Sequence, residues 1–116
     1  MFANALLALT LTATPGAPPE APDVRENVKK GLEWLAGRQA QDGSWSGNNG
    51  MYPTAITGFA GLALLMEGST LREGPYCDHV RRAVGWFEKS AQPSGLLVPP
   101  GNPDERSRYI LGHGIG

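Results

Sequence analysis

Seven positions of this chain recur at one spacing. Lys30-Gly31, Trp34-Leu35, Gln39, Gly43 and Trp45 are matched by Arg82-Ala83, Trp86-Phe87, Ala91, Gly95 and Leu97, each 52 residues on (82 − 30, 86 − 34, 95 − 43). The apolar positions between them keep step, Val28 with Val80 and Leu32 with Val84. Two copies of one unit specify a repeat architecture, in which each unit buries its apolar face against its neighbours. The units run over residues 23–76 and 77–116, after a leader and linker at 1–22.

The spacing predicts three helices. The first starts at Asp23, where Asp23-x-x-Glu26 reads as an acidic cap with a glutamate reaching back to the free N–H groups. Val24, Val28, Leu32 and Leu35 then form a stripe at helical spacing, and the helix should end near Arg38 or Gln39. A helix from Cys77 or Asp78 carries the equivalent stripe Val80, Val84, Phe87 and Ala91. Between them Thr54 to Glu67 is apolar almost all round, the pattern of a helix buried on most sides. Tyr52-Pro53 should open it and Gly68-Ser69 should stop it. Ser94 to Pro103 is loop, and the tail from Tyr109 reads as the start of a second inner helix, with His113-Gly114-Ile115-Gly116 matching Thr57-Gly58-Phe59-Ala60. A helix start with no helix behind it buries little, so the sequence reads as truncated, with further C-terminal repeats or self-association implied.

The segment Lys30-Gly31-x-x-Trp34-Leu35-x3-Gln39-x3-Gly43-x-Trp45 resembles the QW motif of squalene–hopene cyclases and their relatives. The resemblance covers roughly Asp23 to Gly116. It implies an all-α fold, an α/α toroid in which an outer helix ends in the motif and an inner helix follows, with about two of the repeats a closed ring needs. The second copy departs from the pattern, with Leu97 at the final Trp position and Ala91 at the Gln position, Gln92 coming one residue late. That looser form is similar to the prenyltransferase/squalene oxidase repeat proteins of bacteria. Lys30, Gly31, Trp34, Leu35, Gln39, Gly43, Trp45, Trp86 and Gly95 are therefore expected to be structural. Gln39 should bond backbone groups freed at the helix end, Gly43 should permit a tight turn, and Trp45 should stack over the Gln39 amide and seal the junction.

Residues with chemistry are few. The resemblance implies either a cyclase, which protonates an alkene with a DxDD motif, or a prenyltransferase, which holds zinc through dispersed Asp, Cys and His. No DxDD occurs here. Cys77-Asp78-His79 has the right residue types, but neighbours on a helix point about 100° apart and cannot converge on one metal. Asp78 is expected to cap its helix and His79 to be solvated; no metal and no cofactor is expected. His113, between two glycines at an inner-helix start, is the candidate catalytic residue, since a helix N-terminus favours anions and lowers a histidine pKa. Tyr109, Tyr52 and Phe59 are candidates for binding substrate. Asp104 and Glu105, beside Arg106 and Arg108, read as a solvated charge run.

The formal net charge of −1, with no basic stripe, argues against a nucleic-acid partner. The lone Cys77 excludes an internal disulfide. Ala5 to Leu11 is an apolar run far below the roughly 20 residues needed to span a membrane. It resembles the apolar core of a secretory signal, although no Lys or Arg precedes it, and Pro15 to Pro22 is an extended linker. Read as a signal it implies export to the periplasm or beyond; read otherwise the chain is cytoplasmic. The functions in view are thus a terpene cyclase or prenyltransferase-like protein acting on an isoprenoid or other apolar ligand, or a non-catalytic toroid module of an exported bacterial protein.

Overall fold

The computed structural model describes residues 23–102 and 113–114. Within them the architecture is all-α: α1 (Val24–Gly37), α2 (Pro53–Glu67) and α3 (Cys77–Ser90), with a short 3-10 turn at Asn48–Gly50. Helix α2 packs against both α1 and α3. This outer–inner–outer order is that of a segment of an α/α toroid. The leader, the proline-rich linker, Asp104, Glu105 and Tyr109 lie outside the described residues.

Local chemistry sets each helix end. The Asp23 carboxylate accepts the Arg25 N–H at 3.0 Å and so caps α1. Glu26, expected to reach back, faces Lys30 one turn on, at 3.7 Å. Helix α2 opens with Pro53 at its first turn, where a missing N–H costs nothing. Tyr52, just before it, takes a left-handed conformation (φ 53°, ψ 45°), and a residue before proline is disfavoured in the right-handed helical region. Gly68, at φ 114°, ends α2. The start of α3 differs from expectation. Tyr76 holds the cap position without a side-chain bond, and Asp78 lies inside the first turn, paired with Arg81.

The core joins all three helices. Leu32 of α1, Ala60 and Leu64 of α2, Val80 and Ala83 of α3, and Trp45 from the loop form one buried cluster. Leu35, Ile56, Ala63 and Tyr76 pack around it. Two expected faces are narrower than their patterns. Val24 and Val28, the first half of the α1 stripe, are exposed and line an open groove with Leu32, Pro75 and Tyr76. Helix α2 buries Thr54, Thr57, Ala60 and Leu64 but exposes Phe59, Leu62, Leu65 and Met66. The reason is geometric: the described neighbours of α2 cover one side of it, so half of an all-apolar helix faces outward. On α3 the buried line is Val80, Ala83, Trp86 and Ser90. It is rotated from the expected Val80–Val84–Phe87–Ala91 line because α3 must face the 39–45 turn as well as α2. No helix among the described residues is long and apolar enough to cross a membrane.

Candidate functional site

The densest polar construction in the described structure is the junction between α1, the turn that follows it, and α3. After Arg38, the Ala40 N–H donates to Ser44 O at 2.8 Å and the Gly43 N–H to Ala40 O at 3.0 Å, closing a tight turn. Asp42 stiffens it by accepting the Ser44 N–H at 3.0 Å and the Ser44 hydroxyl at 2.7 Å. Burial alone would raise the Asp42 pKa. The hydrogen bonds from Ser44, with a contribution from the Trp86 side chain, outweigh it and hold the carboxyl below its ordinary range. Gly43 sits at φ 95°, and a Cβ there would lie 2.3 Å from the Arg82 carbonyl oxygen. Only glycine allows the turn and the α3 backbone to approach this closely.

Gln39 spans the junction with its whole amide. Its Nε2 donates to Gly43 O at 2.9 Å and to His79 O at 3.0 Å, 40 residues along the chain. Its Oε1 accepts from His79 Nδ1 at 2.8 Å and from the Arg82 guanidinium. An amide has two donors and two acceptor sites, and all four are used. The two carbonyls fix which end is nitrogen, so His79 must carry its proton on Nδ1. Arg82, 3.4 Å from that same nitrogen, therefore has no lone pair to bond there. Burial first, then the charge of Arg82, lower the His79 pKa against an opposing pull from Asp78. His79, expected to be solvated, is instead half-buried and bonded into the junction.

Trp45 is 3% exposed. Its indole N–H donates to Leu35 O at 2.8 Å, so Trp45, rather than Gln39, bonds a carbonyl in the last turn of α1, one that also accepts the Arg38 N–H at 3.0 Å. Its backbone N–H donates to Thr57 Oγ1 at 2.9 Å, and the Thr57 hydroxyl donates back to Trp45 O at 3.1 Å. Thr57 is fully buried on α2, so this reciprocal pair pins the loop to the inner helix. Sequence reasoning missed Thr57, His79 and Arg82 as junction residues. Asp42-Gly43-Ser44 does carry a turn signal that marks the place.

The remaining motif residues lie outward. Lys30 and Gly31 are exposed. Trp34 is 62% exposed, with the Arg38 guanidinium 5.1 Å from its ring centre, within cation–π range. Leu35 is half-buried. Trp86, the partner of Trp34 in the second unit, is 8% exposed and makes an edge-on contact with Phe87. Gly95 is exposed at φ 83°.

The candidate catalytic and binding residues lie on separate parts of the surface. His113 is exposed beside Ser94, Gly95 and Leu96, where its Nδ1 accepts the Leu97 N–H at 3.4 Å. Tyr52 precedes α2, half-buried; Phe59 is 57% exposed on the outer face of α2. A groove of about 290 Å³ lies between α2 and α3, bounded by Gly58, Gly61, Leu62, Leu65, Val84 and Phe87, and none of the three candidates lines it. Among the described residues no group of three His, Cys, Asp or Glu is placed to hold a metal.

This chain is similar to lanosterol synthase. It is 40% identical to the Homo sapiens protein over 90 residues, and 30% identical to the Mus musculus protein over 90 residues. In both cases the match covers 78% of this chain and 12% of the relative, so the chain spans about an eighth of the length of these curated relatives. No protein-family model matches. No solved structure gives a significant match.

Proposed function

We propose that this chain supplies helical repeats to a squalene-cyclase-like α/α toroid that binds or cyclises an isoprenoid. The observation that carries the reading is the 40% identity to lanosterol synthase over 90 residues. It is supported by a QW-type junction in which the Gln39 amide and the Trp45 indole are bonded to structural partners. In this reading the junction is scaffold. It holds α2 so that Phe59, Leu62, Leu65 and Met66, its outward apolar side, form part of a cavity wall. Such a wall would exclude water and, through Phe59, place an aromatic face where a cation–π contact could stabilise positive charge. His113 stands apart from that face, beside Ser94, Gly95 and Leu96, and takes no part in this reading. The alkene-protonating acid of a cyclase would come from outside this sequence, which has no DxDD.

The test is to isolate the natural polypeptide from its source cell, measure its mass, and incubate it with squalene. A mass above that of this chain, with polycyclic product, supports the cyclase reading. Saturable squalene binding without conversion supports the second reading, a non-catalytic module, which the signal-like leader and proline linker favour. Neither binding nor conversion overturns the isoprenoid assignment.

A further inference from the structure

The turn of the first junction recurs, bond for bond, after α3. Gln92 N–H donates to Leu96 O at 2.9 Å and Gly95 N–H to Gln92 O at 2.8 Å, as Ala40 does to Ser44 and Gly43 to Ala40 in the first turn. Gly95 is left-handed at φ 83°, against 95° at Gly43. The Arg82 backbone closes over Gly43, whereas no described atom lies within 4 Å of where a Gly95 Cβ would be. What meets the second turn among the described residues is His113, in a helical pair with Gly114. Leu97 stands 52 positions after Trp45 (97 − 45), and its N–H donates to His113 Nδ1 at 3.4 Å. In the first unit the Trp45 N–H donates to Thr57 Oγ1 at 2.9 Å. Donor and acceptor are 12 residues apart in the first unit and 16 in the second, so the loop to the inner helix is four residues longer (16 − 12). That is the same shift that aligns His113-Gly114 with Thr57-Gly58 in the sequence.

We propose that His113 is the second unit's counterpart of Thr57: a positioning residue that ties the turn after α3 to the start of the second inner helix, through a bond that acid breaks. The two side chains do this with different chemistry. A hydroxyl both donates and accepts, so Thr57 takes the Trp45 N–H and returns a bond to Trp45 O at 3.1 Å. A neutral imidazole accepts at one nitrogen only, so accepting at Nδ1 puts the His113 proton on Nε2. The second lock is therefore one-way, and at 3.4 Å it is longer than the 2.9 Å of the first. Protonation leaves an imidazolium with two N–H groups and no lone pair. The Leu97 N–H then faces a donor, and the lock opens. A threonine hydroxyl has no such state. Ser94, Gly95 and Leu96 line the hollow around His113, and none of them titrates or carries a charge. The proposal goes beyond the isoprenoid reading and does not depend on it.

Amide hydrogen exchange at Leu97, measured by NMR on the full chain and corrected for the intrinsic pH dependence of exchange, tests it. His113→Ala removes the acceptor. His113→Asn puts an amide oxygen the same number of bonds from Cα as Nδ1, and that oxygen does not titrate. His113 is exposed, so both variants should keep wild-type helical circular dichroism. At neutral pH His113→Ala should lower Leu97 protection roughly two- to tenfold, the worth of one hydrogen bond, and His113→Asn should keep it. Acidification to about pH 5, through the range in which histidine side chains charge, should bring wild type down to the His113→Ala level and leave His113→Asn unchanged. Equal protection in wild type and His113→Ala, or protection lost in His113→Asn, would overturn the Thr57-like role. Wild-type protection that persists in acid would overturn the acid-broken lock. The readout is a single amide, so the effect of His79 on global stability does not enter it.

Discussion

The two post-helix turns share a backbone and differ in what locks it. At the first, Gln39, Trp45 and Thr57 tie the turn to α1, α2 and α3 at once. At the second, Ala91 and Leu97 form an isolated antiparallel bridge, and the Gln92 amide turns inward to Val98 O at 3.2 Å. The comparison separates two jobs that a motif match merges. Glycine in a left-handed conformation and two backbone hydrogen bonds are enough to make the turn. The glutamine adds one bond inside the turn, to Gly43 O, and together with the tryptophan it bonds the turn to neighbouring helices.

The comparison breaks most visibly at Trp45. Trp45→Ala removes a buried indole and should cost about 3–5 kcal/mol, whereas Leu97→Ala, at a half-buried site, should cost much less. Chemical denaturation of both variants checks this, and equal losses would mean the second turn is locked as firmly as the first. Next come the glycines. Gly43→Ala meets both a left-handed backbone and the Arg82 carbonyl and should cost about 2–5 kcal/mol. Gly95→Ala meets only the former, about 1–2 kcal/mol. A ratio near one in their melting shifts would contradict the open environment of Gly95.

Gln39→Ala leaves the Arg82 and His79 donors short of an acceptor and should cost about 1–3 kcal/mol. Gln92→Ala, measured in the same way, should cost less, since that side chain makes one bond within its own loop. The smallest effect is the response to acid. His79 has a lowered pKa in the folded state, so the unfolded chain takes up a proton first. Stability contributed by His79 is then present above the ordinary histidine value of about 6.5 and falls as pH drops below it, levelling once the folded state also protonates. Asp42, also lowered, contributes stability above its ordinary value that is lost at much lower pH, as the folded carboxyl finally protonates. Denaturation midpoints against pH should show two separate declines, and His79→Gln should remove only the first.

Much of this fold could be read from the residues because its punctuation is local. Asp23, Pro53 and Gly68 act within a turn of where they stand, and the helix bounds follow to within a residue or two. What could not be read depends on partners distant in sequence. Nothing near Gln39 says that its amide will close on His79. Nothing near Thr57 says that its hydroxyl will hold Trp45 rather than a carbonyl of its own helix. The exposure of Val24, Val28 and Phe59 is likewise a matter of which neighbours arrive, and periodicity describes only the face, not its occupant. The similarity to a known motif located the junction but assigned the helix-end carbonyl to the wrong side chain.

The reach of Gln39 to His79 also sets a clock on biosynthesis. The amide cannot finish its bonds until a residue 40 positions later has left the ribosome. At about 5–20 residues per second that interval is roughly 2–8 s. During it α1 and its turn are complete in sequence but hold an unclosed amide and an indole whose core is only half assembled. The folding unit is therefore offset from the repeating unit: the lock is written in the first repeat and fastened by the second, so its assembly runs in the direction of translation.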